Sequence, residues 1–513
     1  MKKLFCGVMS VVMAFGVACL TGCGGGGGND DSGNQTGGRL TIEIYEAGFG
    51  TAWLDEIAAN YSAATGIKVK VYKSYLETEI PTKLINDQSD ADIVFMVGNA
   101  FEAQDRGLLV DLSDVLDAKL DGNDETVREK MNRNIYDYLV NDDGTIYQLP
   151  WANTVSSFCY NETTLNEILG EGNWTLPNTT DEFFALADRI KAVGDGNYAF
   201  VDSTKTGYGS YLFQTWWAQY DGVDRFYDYF NGYYYKDGVR TFAENGEIYD
   251  NISRLRSLEV CERLFKKTNG YIHNKSDRME FTDAQIVFAG QGFSSDKAKA
   301  AFIISGDWTE NELISYLQAA EAAGKPQTIK MMKMPVISSI VETLKDTSMT
   351  DETLSAVIEA VDAGKSSYDG VDPDDFARIA SARNTVSSLT YQHPFGIPSN
   401  SSRINKAKDF IRYMLSDYAQ SIYAKNLNGL SMPYGYKADD SDLSAFVKSR
   451  LESYDNTYFP ISNDYSADLF RRGRIGILKV NSAYIDGDLF AGVTAKTIFD
   501  NTSTFYKSDW ETD

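Results

Sequence analysis

Trp308 closes the run Ser305-Gly306-Asp307-Trp308, and Trp151 stands two residues before Asn153, with Thr154 beyond it. Trp216 and Trp217 lie in a stretch where 13 of the 28 residues from Tyr208 to Tyr235 are Tyr, Phe or Trp, a density no core needs at every position. A ring beside an amide, hydroxyl or carboxylate can cover a flat apolar face while its neighbour hydrogen-bonds the rim. That kit suits non-covalent capture. Either Trp216 or Trp217 is a candidate, although Phe213, Trp217 and Tyr220 also fit the buried stripe of a helix. Asp307 either bonds a ligand or caps the helix starting near Thr309. Covalent chemistry finds less support. No Gly-x-Ser-x-Gly elbow sits between strand and helix, and no phosphate-cradling Gly-x-x-x-x-Gly-Lys or zinc-binding His-Glu-x-x-His occurs. Two histidines, His273 and His393, and no cysteine cluster leave a zinc site little to build on, and Asp142-Asp143-Gly144 lacks the spacing of a calcium loop.

The elements that must position these residues read as alternating strands and helices. Arg39 to Glu46 alternates Leu40, Ile42 and Ile44 with polar residues, the period of a strand. A helix over 51–64 ends at Gly66, and Ile67 to Tyr72 is again a strand. Ala91 to Val97 is nearly all apolar, as a strand covered on both faces would be, and it ends at Gly98-Asn99-Ala100. Asn141 to Thr145 reads as a hairpin turn into Ile146 to Leu149. Pro150 stiffens the chain where it leaves the first unit. A helix is expected over 181–191, a strand over 300–305 delivering Asp307 and Trp308 to its end, a polar connector over 365–377 and a strong helix over 405–416.

Size and charge bound the rest. With 513 residues the chain suits two or three domains, and 48 basic against 73 acidic residues give a net charge of −25. A field of that sign repels phosphate backbones, so no nucleic-acid partner is expected. Lys2 and Lys3 precede a largely apolar run from Leu4 to Leu20, the layout of an export leader. Leu20-Thr21-Gly22-Cys23 with the following Gly24 to Gly28 resembles a bacterial lipoprotein box, which implies that Cys23 is acylated and that residues 23–38 form a tether. The other reading is a cleaved leader with an incidental cysteine. Of the remaining thiols, Cys159 and Cys261 either pair or stay buried and free.

In order and approximate spacing, these segments resemble the extracellular solute-binding proteins of ABC importers, in the large sugar-binding group. The opening strand, the helix ending at Gly66 and Ile67-Lys68-Val69-Lys70-Val71 are similar to that group's first unit, and Ala91-Asp92-Ile93-Val94-Phe95 to its third strand. Gly144 to Pro150 followed by Cys159-Tyr160-Asn161 resembles the passage through the first hinge, and Ser305 to Trp308 the turn that ends in a stacking tryptophan. Phe395-Gly396-Ile397 with Asn405 to Leu415 resembles the late strand and long helix. No single motif is strong; the order is. The loop Glu46-Ala47-Gly48-Phe49 departs from the charged pattern of the family's maltose binder, and 334–396 is much longer than the corresponding region there.

The resemblance implies an α/β fold of two lobes that close over a ligand, with residues 39–150 plus 331–404 in the first and 151–330 plus 405–513 in the second. It implies Asn99, Trp151, Asn153, Thr154 and Trp308 as ligand contacts. A pyranose offers an apolar face to a ring and equatorial hydroxyls to polar groups. Glu46, Phe49, Asn153, Asp307, Trp216, Trp217 and Tyr391 complete the candidate set. The expected partners are a neutral carbohydrate, an oligosaccharide if the ring-rich stretch extends the groove, the permease subunits of an importer, and the membrane through the N-terminal lipid. The protein is expected to work as a monomer outside the cytoplasm with no cofactor. Three alternatives stand beside transport of a sugar: an extracytoplasmic sugar sensor, a peptide-binding transport protein, and a glycoside-acting enzyme using a carboxylate pair.

Overall fold

The computed structural model describes residues 38–510, apart from 195, 245, 294–296, 455–457, 464–465 and 472–475. The leader 1–22, Cys23 and the tether up to residue 37 lie outside the described residues. Among the described residues thirteen strands run in chain order: β1 (Arg39–Tyr45), β2 (Lys68–Ser74), β3 (Ile93–Phe95), β4 (Leu149–Pro150), β5 (Ser156–Asn161), β6 (Tyr198–Phe200), β7 (Tyr233–Lys236), β8 (Val239–Phe242), β9 (Ala300–Gly306), β10 (Ile329–Met331), β11 (Thr385–Ser387), β12 (Pro394–Gly396) and β13 (Phe459–Ile461).

The first sheet has the order β2-β1-β3-β12-β4. Leu40, Ile42 and Ile44 alternate inward along β1, which runs parallel to β2 and β3. The crossover between β1 and β2 is the Ala52–Thr65 helix, stopped by Gly66 at φ 77°, a left-handed conformation that favours a residue without a Cβ. Trp53, Leu54, Ile57 and Tyr61 turn inward from that helix. The second sheet has the order β13-β11-β5-β9-β6, with β10 added to β5. Its central strands β5 and β9 are buried along their whole length. Successive side chains therefore feed two cores: Cys159 and Ile303 face one, Phe158, Phe302 and Ile304 the other. β7 and β8 form a separate hairpin.

The packing differs from the expected division at both late boundaries. The chain does not leave the second sheet at 331, because β10 adds antiparallel to β5 there. Phe376, Ile379 and Ala382 of the Pro373–Arg383 helix join the core behind the second sheet, and Arg383 Nη1 donates to the Met334 carbonyl at 3.1 Å. The crossing back comes only at 388–393, after which β12 inserts between β3 and β4. The Ile404–Met414 and Asp417–Asn426 helices then cover the Ala52–Thr65 helix, with Phe410 5.2 Å from Tyr61 and Tyr423 5.0 Å from Trp53 between ring centroids. The segments 332–387 thus pack with the second sheet and 404–426 with the first.

Two local expectations also change. The connector over 365–377 contains a helix start: Asp372 accepts from the Asp374 amide and Pro373 takes the first helical position. The Asn141 to Thr145 turn closes on itself at 2.9 Å, but β4 pairs with the distant β12 and not with a hairpin partner. Cys159 and Cys261 are both buried and free, not a disulfide. No helix among the described residues is long and apolar enough to cross a membrane.

Candidate functional site

Among the described residues three chain segments, 150–156, 388–393 and 433–444, join the two sheets, and they are laced to one another. The Trp151 amide donates to the His393 carbonyl at 2.9 Å, the Thr154 amide to Thr390 Oγ1 at 2.8 Å, and the Tyr434 hydroxyl to the Pro150 carbonyl at 2.8 Å. Arg450, from the Ala445–Ser453 helix, binds this junction to the end of β9. Its Nε donates to Asp307 Oδ1 at 3.1 Å, its Nη2 to the Asn153 carbonyl at 3.2 Å and its Nη1 to the Tyr454 carbonyl at 2.8 Å. Asp307 Oδ2 in turn accepts from the Val155 amide at 3.0 Å. Both side chains are shut away from water. Burial pushes the Asp307 carboxyl up and the guanidinium pulls it back, so the pair holds the junction by charge-assisted bonds, with Arg450 as the counter-charge on the carboxylate and backbone groups satisfying the rest of both side chains.

In front of this junction the β1 loop of the first lobe meets the β9 turn of the second. Phe49 is wedged at the base, with ring centroids 5.8 Å from Trp151, 5.7 Å from His393 and 6.1 Å from Trp308. Burial lowers the His393 imidazole to about 4, so it is a neutral ring here, held through Nδ1 and the Leu389 carbonyl at 2.8 Å. The Trp308 indole folds back over Gly306, where a Cβ would stand only 2.2 Å from it. Tyr208 continues the wall, 6.2 Å from Trp308 and 4.3 Å from Phe281, with Tyr211 behind it at 5.3 Å. Polar groups line the same seam. Asn311 Nδ2 reaches across to the Gly48 carbonyl at 2.6 Å, and Gln285 Nε2 donates to Glu312. Glu312 is open to solvent on one side and crowded by protein on the others, and that desolvation lifts its carboxyl to about 7.

The sequence-derived candidates separate into three groups. Phe49 and Trp308 meet at the seam, and Glu46 and Asn99 stand half-buried on the matching edge of the first sheet. Trp151, Asn153, Thr154 and Asp307 brace the crossings. The Trp151 indole nitrogen is spent on the Met96 carbonyl at 3.2 Å, and Asn153 Oδ1 accepts from the Tyr458 hydroxyl at 2.8 Å. Trp216, Trp217 and Tyr391 lie elsewhere. Trp216 donates to the Pro335 carbonyl at 3.1 Å behind the second sheet, Trp217 packs on Phe226 and Tyr229, and Tyr391 stacks on Tyr138 at 3.8 Å. Burying a large apolar side chain contributes roughly 1.5–3 kcal/mol, which is why the inward face of the Gly209–Asp221 helix keeps both tryptophans. Sequence reading missed Tyr208, Tyr211, Phe281, Gln285, Asn311 and Glu312. Tyr208 and Tyr211 sit at the open end of the ring-rich stretch, and Glu312 follows Trp308 by four residues, the spacing that shares one helical face.

Behind Tyr208 lie two fully buried carboxyls. Asp486 Oδ2 accepts from the Gly209 amide at 3.1 Å, Asp202 Oδ1 accepts from the Ser203 amide at 2.8 Å, and the second oxygen of each has no hydrogen-bond partner. Burial raises Asp486 to about 7, and burial with the Asp486 charge drives Asp202 above its ordinary range. A carboxyl raised on folding stabilises fully below its unfolded value of about 4, and that contribution is lost as pH rises through the folded value. Asp486→Asn is therefore expected to stabilise the protein by about 1–3 kcal/mol above neutral pH and to change little near pH ~4. Urea midpoints measured across that window check this; a loss of stability at high pH would mean that the ionised dyad is favourable.

Residues 46–421 match the family model described as bacterial extracellular solute-binding protein. Among curated proteins none matches the sequence. Solved structures share the fold at low identity. A chitin oligosaccharide binding protein matches with TM-score 0.59 and 16% identity over 92% of this chain and 99% of its own. The solute-binding protein RafE in complex with raffinose matches with TM-score 0.57 and 16% identity over 91% and 99%. A structure from work on xylan utilization by the thermophilic bacterium Caldanaerobius polysaccharolyticus matches with TM-score 0.59 and 14% identity over 92% and 99%.

Proposed function

The chain belongs to the bacterial extracellular solute-binding proteins, and from that premise we propose that it captures a neutral oligosaccharide in the seam between its two lobes for import by an ABC-type permease. The observation that carries the sugar class is the wall Trp308-Tyr208-Phe281 facing half-buried polar groups at a junction crossed by three chain segments. Rings take the apolar face of a pyranose while Glu46, Asn99, Asn311 and Glu312 are placed for its hydroxyls. Proteins of the same fold carry raffinose and chitin oligosaccharide in their descriptions, which supports the class without choosing the sugar. The ligand contributes its differential affinity for the closed arrangement, and no bond need break.

Cys23 is the proposed lipid acceptor, keeping the protein beside its permease outside the cytoplasm. Cys23→Ala is expected to move the protein from the membrane fraction to the medium or periplasm.

The decisive test is a thermal-shift and calorimetry panel of mono- and oligosaccharides, with short peptides as controls, on the chain begun after the tether. Selective stabilisation by a saccharide is expected, and Tyr208→Ala, which removes a largely buried ring at the seam, is expected to weaken it by about tenfold without unfolding the protein. Binding of peptides alone would overturn the carbohydrate reading, and turnover of an oligosaccharide would overturn the assignment as a binding protein.

A further inference from the structure

One sizeable cavity among the described residues lies away from the seam. It is a half-open groove of about 1160 Å³ on the second lobe, at the far end of the Gly209–Asp221 helix, lined by Asp221, Arg225, Tyr234, Asn251, Arg378 and Phe459 among others. The helix has 13 residues, so at a rise of 1.5 Å per residue its two ends are about 20 Å apart. Tyr208 marks the seam end and Asp221 the groove end. One ligand of a few atoms cannot touch both.

The polar groups of the groove are already held in place. Asp221 Oδ2 accepts from Asn251 Nδ2 at 2.8 Å and from Ser253 Oγ at 3.2 Å. Arg225 lies 4.2 Å over the ring of Tyr235. The Tyr234 hydroxyl donates to Glu247 at 2.6 Å. Arg378 is anchored by one nitrogen on the Gln219 carbonyl, while its Nη1 is buried with no partner. Desolvation lowers this guanidinium to about 10 against the opposing pull of the Asp221 charge, with the Arg225 charge adding to the lowering. Around these groups, Phe459 is 39% exposed and Ile252 46% exposed, apolar surface left uncovered at the rim. The lining carries both signs of charge in near balance, Asp221, Asp224, Glu247 and Asp250 against Arg225, Lys236 and Arg378, so it favours neither a strong anion nor a strong cation.

We infer that this groove is a second saccharide site, separate from the seam, in which Phe459 takes the apolar face of a sugar ring and Asp221, Arg225 and Arg378 take its hydroxyls. Preorganised acceptors and donors beside an exposed ring are what a neutral, polyhydroxylated ligand requires. The inference shares the carbohydrate class of the proposed function but not its site. A glycan long enough to bridge about 20 Å would engage both grooves on one molecule.

The test uses calorimetric titration and saturation-transfer NMR with raffinose, chitotetraose and xylotetraose as probes. Three forms are compared: the native chain, the seam variant Tyr208→Ala, and the groove double variant Arg225→Gln with Phe459→Ala. Both groove positions are exposed, so the fold should survive the change. At least one probe is expected to show two classes of site in the native chain. The weaker class should fall by about tenfold in the groove variant alone, and the other in Tyr208→Ala alone. A single class of site, or a weaker class indifferent to the groove variant, overturns the inference while leaving the seam reading intact. Loss of all saccharide binding in Tyr208→Ala alone does the same. Binding of trialanine that disappears in the groove variant, with no saccharide doing so, would reassign the groove to peptide.

Discussion

Arg450→Met is expected to lower the unfolding free energy by about 3–5 kcal/mol, because it leaves the Asp307 carboxylate buried without a counter-charge. The same change withdraws the donors to the Asn153 and Tyr454 carbonyls, so the Ala445–Ser453 helix also loses its tie to the crossings. A double variant with Asp307→Asn is expected to recover a large part of the loss, since a neutral amide can still accept through one oxygen and no buried charge remains. Urea unfolding of the two variants separates the cases. If Arg450→Met alone costs no more than an exposed ion pair, about 0–1 kcal/mol, the pair is not acting as the brace of the junction.

Gly48→Leu is expected to weaken saccharide capture by roughly 5–150-fold while leaving the fold intact, the size of an overpacking cost of about 1–3 kcal/mol paid only when the lobes meet. A Cβ at Gly48 would stand 2.6 Å from Glu312 Oε1 and 3.0 Å from Trp308 Cβ. The glutamate end can swing away, but the tryptophan Cβ is fixed by the turn. Gly48 has no positive φ, so the substitution strains no backbone and acts as a wedge between the lobes. Calorimetry with the best saccharide gives the affinity, and small-angle scattering gives the radius of gyration with and without it. Unchanged affinity together with unchanged compaction would show that the contact of the β1 loop with Trp308 is not part of ligand-induced closure.

Much of the fold was legible because local patterns and global packing agree. The alternation in β1, the stop at Gly66 and the apolar run in β3 each have one reading, and the structure holds all three. Trp308 at the end of a buried strand was legible for the same reason: a strand delivers its last side chains to a sheet edge whatever lies opposite. The lobe boundaries were not. Pairing of β10 with β5 and of β12 with β3 and β4 joins residues more than 150 apart in every case, and nothing near 331 or 404 in the chain announces it.

What the sequence determined by itself was an acidic, aromatic-rich chain of alternating strands and helices with a constellation of rings and polar groups at its turns. Only the tertiary structure decided which rings that constellation contains. Trp216, Trp217 and Tyr208 belong to one ring-rich stretch, yet the two tryptophans face the core and Tyr208, at the helix start, reaches the seam. Composition records how many rings a segment has, whereas helix phase and the position of the opposing sheet decide which of them water or a ligand can touch. In the same way Asp307 reads as a ligand group or a helix cap until Arg450, 143 residues away, supplies the partner that makes it a brace.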